Sequence, residues 1–198
     1  DITIRGNTFI RLLRGISGTS ETSTSTGNII IVNNQFLAGW RSSTGAGDPL
    51  GSAMEVRGTT LIIKGNLIDF EGSFSGGYRG ISAFAWVGTE TIIIEQNSIK
   101  GFVSSAINVS RFSGWTTDSI LVANNMINVS AFPVWANEFA SGLVVTANNA
   151  NIVFNTIVLL GGGSVGLGVY GEDCEVFNNI IINKMHSGFN IVYDQGNN

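Results

Sequence analysis

An apolar-x-apolar-x-x-Asn pattern returns seven times along the chain, and a period of this length points to a repeat architecture before any single motif is considered. It is plainest at Ile29-x-Ile31-x-x-Asn34, Leu61-x-Ile63-x-x-Asn66 and Ile92-x-Ile94-x-x-Asn97. The full series of asparagines is Asn7, Asn34, Asn66, Asn97, Asn125, Asn155 and Asn179, spaced by 27, 32, 31, 28, 30 and 24 residues. An apolar residue follows each at the second place, from Phe9 and Phe36 to Ile157 and Ile181. Later in each period comes a small residue and then apolar-x-apolar, as in Ala53-Met54-Glu55-Val56, Gly80-Ile81-Ser82-Ala83 and Gly188-Phe189-Asn190-Ile191.

No segment carries a helical period, so each repeat reads as a strand, an Asn turn, a second strand, a loop of variable length and a third strand. A unit this short cannot bury its apolar face alone; stacking it on its neighbours can. The expected fold is all-β, a parallel β-helix of about seven coils with three short strands per coil, stacked at about 4.8 Å. The recurrent Asn has a physical reason. Asn tolerates the left-handed region needed in a tight turn, and its amide offers both donors and an acceptor. Stacked coil over coil, the seven asparagines are expected to turn the chain and form an internal ladder.

Composition agrees and narrows the partners. The 198 residues are 43% hydrophobic, enough for a core in a single domain spanning 1–198, and only 12% are charged. A net charge of −4 supplies no basic footprint for nucleic acid, and no apolar run is long enough to span a membrane. One cysteine and one histidine leave no disulfide framework and no Cys- or His-based metal site, and no cofactor is expected. The first coil starts at residue 2 with no capping helix and the last strand runs into the C-terminus. Both ends of the solenoid are therefore expected to be open, and the chain is expected to be part of a longer one.

This repeat resembles that of the right-handed parallel β-helix proteins of the pectate-lyase-like superfamily, with their asparagine ladder. The stretches NIVFNTIVLLGG and CEVFNNIIINK are similar, more loosely, to β-helical segments of secreted and surface proteins of Bacteroidota. The resemblance implies a secreted location at a bacterial cell surface, and it implies that any ligand lies along the outer face of the third strand. Alternation then turns Ser17, Glu55, Ser82, Asn108, Val144, Gly168 and Asn190 outward, followed by Arg57, Phe84, Ser110, Thr146, Tyr170 and Val192.

That face lacks the acid cluster of a Ca²⁺ site and the carboxylate pair of a glycoside hydrolase. Glu55, Arg57 and Arg111 are the candidates for β-elimination chemistry. Long loops add Trp40, Tyr78, Arg79, Trp115 and Trp135, which with Asn108 suit stacking on sugar rings and hydrogen bonding to hydroxyls. The outward middle position of the first strand reads Ile30, Ile62, Ile93 and Leu121 over four coils, where a solvated face should be polar. That stripe marks an interface with flanking sequence or with a second subunit. The leading functional expectation is a non-enzymatic surface rod module, structural, adhesive or glycan-binding. The alternatives are a polysaccharide lyase, less readily a hydrolase, and a filament or tailspike-like assembly subunit.

Overall fold

A computed structural model describes residues 1–10, 14–18, 27–37, 52–70, 79–85, 88–102, 104–111, 119–130, 140–160, 164–184 and 188–194. Each repeat contributes one strand to each of three sheets, A, B and C, and every pairing is parallel and joins neighbouring repeats. Rungs are numbered here by their asparagines, Asn7 in rung 1 to Asn179 in rung 7. Rung 4 is typical: Thr91–Glu95 lies in sheet A, Ser98–Phe102 in sheet B and Ser105–Arg111 in sheet C. The architecture is the expected all-β parallel solenoid. Each sheet holds seven strands, but only rungs 2 to 6 are packed on both faces. The closed solenoid is therefore about five turns rather than seven, with Ile2, Ile180 and Ile191 of the outer rungs more than half exposed.

The core is a set of columns. Ile29, Leu61, Ile92 and Ile120 stack in sheet A, Phe36, Ile68, Ile99 and Ile127 in sheet B, and Met54, Ile81, Ile107 and Leu143 in sheet C. β-branched side chains dominate because in-register stacking of identical rotamers fills the pleat without voids. Phe9 and Phe36 continue this at one end as a parallel ring stack, centroids 4.7 Å apart. The small residue opening each sheet C strand also has a cause. A Cβ on Gly142 would sit 2.5 Å from Ile157 Cγ2 and 2.6 Å from the Gly166 carbonyl of the next rung. From rung 1 to rung 6 this column is Gly or Ala, Gly15, Ala53, Gly80, Ala106, Gly142 and Gly166, where sheet C passes close to sheet B.

The asparagine ladder is present, with one correction to its geometry. Asn34, Asn66, Asn97, Asn125 and Asn155 are no more than 1% exposed. In rung 4, Asn97 Nδ2 donates to the Ile63 carbonyl of the rung before at 3.0 Å, to the Glu95 carbonyl at 3.1 Å and to Asn125 Oδ1 at 3.0 Å. Its own Oδ1 accepts from the Asn66 backbone N–H and side chain, each at 3.0 Å. The ladder residues are not the ones in the left-handed region. That conformation belongs to the residue before each: Gly6, Asn33, Gly65, Gln96, Asn124, Phe154 and Asn178. One residue bends the backbone outside and the next turns its amide inside, so the two jobs assigned to one Asn are divided between neighbours.

The last rung departs from the expected register. Gly168 pairs with Val192, and Leu167 with Ile191, so Asn190 lies beside Gly166 in the small-residue column. The outward residues of rung 7 in sheet C are therefore Val192 and Asp194, in place of Asn190 and Val192. The sheet B strands run to Phe70 in rung 3 and to Ser130 in rung 5.

Candidate functional site

On the outer face of sheet C, Glu55, Ser82, Asn108 and Val144 form one in-register column, with Phe84, Ser110 and Thr146 in the next outward one. Glu55, Arg57, Asn108 and Ser110 are half-buried. Ser110 Oγ donates to Asn108 Oδ1 at 3.2 Å. Ser82 faces outward by register yet is fully buried, and its Oγ has no hydrogen-bond partner among the described residues. Arg79 opens its strand beside Ser52 and Ser105, at the edge of this face.

The three residues offered for β-elimination are not brought together. Glu55 and Arg57 belong to rung 2 and Arg111 to rung 4, two rung spacings away, or about 10 Å. Arg111 also stands opposite the core residue Ala85, on the other parity of the strand from Ser110. Of the glycan-binding candidates, Asn108 and Arg79 share sheet C, whereas Trp40, Tyr78, Trp115 and Trp135 lie outside the described residues.

The aliphatic stripe is in register. Ile30 pairs with Ile62, Ile62 with Ile93, and Ile93 with Leu121, all half-buried on the outside of sheet A. Thr3 bounds it at one end and Asn151 at the other.

A second surface is formed at the corner between sheets A and B, on the outside of the ladder. Its left-handed column presents the exposed amides of Asn33, Gln96, Asn124 and Asn178, with Phe154 between the last two. The Phe154 ring is 52% exposed and meets Phe177 edge to face, centroids 6.1 Å apart. An aromatic residue at φ 57° is held in a conformation that costs about 1–2 kcal/mol for an L-residue. Met126 and Ile180, each more than half exposed, lie just past the turn in rungs 5 and 7. Sequence reasoning passed over this corner. The signal was one position wide: the residue before the ladder Asn is Gly, Asn or Gln in six copies and Phe in one.

Cys174 points inward, in the column of Ile120 and Ala150, as its position in the repeat suggests. Its thiol donates to the Ala147 carbonyl at 3.3 Å, and burial pushes its pKa up. Among the described residues no group of three His, Cys, Asp or Glu side chains converges on a metal position, and no helix is long and apolar enough to cross a membrane. No family model, no curated protein and no solved structure matches the chain.

Proposed function

We propose that the protein is a β-helical rod module of a secreted or bacterial cell-surface protein, structural and adhesive in role, that holds glycans on its outer faces. The reading extends to membership of the pectate-lyase-like superfamily, which the buried ladder and three-strand coil support. The observation that carries the glycan role is the exposed Phe154–Phe177 pair with the Asn124 and Asn178 amides on either side. An open aromatic ring stacks on the apolar face of a pyranose, and flanking amides offer donors and acceptors to its hydroxyls. Rigidity supports the adhesive role, because every inner rung is tied to the next by three sheets and an amide ladder.

Affinity electrophoresis through gels containing uronate or neutral polysaccharides tests this. Retarded migration that a Phe154→Ala/Phe177→Ala double variant abolishes, with its circular dichroism unchanged, is the expected result. Unretarded migration across the panel contradicts it. Release of unsaturated uronate products that is lost on Glu55→Gln or Arg57→Met would favour the lyase alternative. A second reading, a subunit that assembles through sheet A, is favoured by the four-rung stripe of Ile30, Ile62, Ile93 and Leu121.

A further inference from the structure

The outer face of sheet A reads almost the same in both directions along the solenoid axis. From rung 2 to rung 5 its middle outward column is Ile30, Ile62, Ile93, Leu121. Beyond it on either side come Thr3 and Asn151, both polar. The column nearest the Asn turn is Val32, Lys64, Glu95, Ala123, and the column at the other strand end runs from Asn28 to Ser119 through two threonines. Over rungs 2 to 5, reversing the order of the rungs keeps every chemical class in place except that Lys64 and Glu95 exchange; outside these rungs Arg5 in rung 1 corresponds to Val153 in rung 6. Lys64 and Glu95 already form an ion pair within the chain, Nζ to Oε1 at 2.7 Å, with the side chains 44% and 22% exposed.

We propose that this face binds a second copy of the chain, face to face, about a two-fold axis that runs parallel to the strands between rungs 3 and 4. Such an axis keeps strand direction and reverses rung order. Ile62 then lies against Ile93 of the second copy and Ile30 against its Leu121. Lys64 meets Glu95 of the second copy and Glu95 meets its Lys64, so both internal ion pairs join one four-charge cluster at the centre. An axis along the solenoid instead would set the charged column against the threonines and leave the charges unmatched. An isologous interface needs a self-complementary patch, and the charge order of this face supplies one. An unrelated partner would have to bring an apolar strip bordered by the same charges in reverse.

Size sets the strength. The self-complementary stripe covers rungs 2 to 5, and with rungs about 4.8 Å apart and a strand length of about 14 Å the contact is on the order of 300 Å² per copy. That lies below the standard interface, so the association is weak, with a dissociation constant in the micromolar to millimolar range. The stripe of rungs 2 to 5 includes neither Phe154 nor Phe177, so this inference stands apart from the glycan reading.

Sedimentation velocity on the whole chain tests it. The weight-average sedimentation coefficient of the unaltered protein should climb from the monomer value toward the dimer value between about 10 μM and about 1 mM, and less steeply at high salt. Lys64→Glu alone and Glu95→Lys alone should each abolish the rise, since each puts four like charges at the centre. An equimolar mixture of the two variants should restore it, because every cross-pair is then Lys against Glu. Ile62→Ser/Ile93→Ser should abolish it without restoration by either charge variant. The proposal is overturned if the unaltered protein stays monomeric throughout. It is equally overturned if the charge variants associate as the unaltered protein does, or if the mixture stays monomeric while both variants keep native circular dichroism.

Discussion

Rungs 3 and 4 and rungs 6 and 7 turn the same corner with the same interior and opposite exteriors. Inside, Asn66 and Asn97 are linked at 3.0 Å, and Asn155 and Asn179 at 2.9 Å. Outside rungs 3 and 4 the corner is bordered by two ion pairs, Lys64–Glu95 on sheet A at 2.7 Å and Asp69–Lys100 on sheet B at 2.9 Å. Their bends are made by Gly65 and Gln96. Outside rungs 6 and 7 the bends are Phe154 and Asn178, and the neighbours are Phe177, Ile180 and Ile182, all exposed. The difference shows which chemistry the fold fixes and which it leaves open. The buried amide is held by four or five bonds at each inner rung, whereas the residue one place earlier points at solvent and can be an amide, a glycine or, at a conformational cost, a ring.

Asn97→Ala leaves the Asn66 N–H buried without a partner and removes one bond each from the Ile63 carbonyl, the Asn66 side chain and Asn125 Oδ1. It should cost about 3–5 kcal/mol in urea unfolding, since the orphaned N–H costs about 1–3 kcal/mol and each further bond lost about 0.5–1.5 kcal/mol. The same change at Asn179, whose Nδ2 bonds to Ile152 and Phe177 lie at a part-buried to exposed site, should cost about 1–2 kcal/mol. Equal losses at the two sites would mean that the ladder does not act as a buried network.

Smaller effects sharpen the exterior. Asn124→Phe copies rung 6 onto rung 5 and should cost about 1–2 kcal/mol, because only the backbone conformation is penalised. In a Phe177→Ala background, where the ring contact is already gone, Phe154→Asn should raise stability by about 1 kcal/mol. No gain there would show that Phe154 is not strained. Glu95→Gln, which removes a partly exposed pair, should shift unfolding of the monomer by less than about 1 kcal/mol, and the shift should fade with salt.

These contrasts also mark what the sequence made legible. The seven ladder positions, the inward columns and the Ile30–Leu121 stripe follow from a repeat in which every coil obeys the same packing constraint, so each copy reinforces the others. The bending residue was misassigned because Asn occupies both the bend and the ladder at Asn33–Asn34, Asn124–Asn125 and Asn178–Asn179, and the pattern alone does not divide the roles. The register of Asn190 was missed for a related reason. Gly142 and Gly166 are small because the next rung presses on them, and Gly188 copies them in sequence although it pairs with Ser164, two places earlier in the strand. At the candidate sites the pattern located Glu55 and Asn108 on one outward face, since alternation decides that. The burial of Ser82 depends on what lies over the face, and alternation carries no information about covering.

A continuous buried amide ladder, one residue beyond each bend, locks the coils together. Amide hydrogen exchange measured residue by residue tests it most directly. The backbone N–H groups of Asn34, Asn66, Asn97 and Asn125, each bonded to the next asparagine's Oδ1 at 2.9–3.0 Å, should exchange only with global unfolding, as slowly as the core strand amides. Exchange of these four at the rate of exposed turn amides, while the strands of sheet A stay protected, would contradict the account.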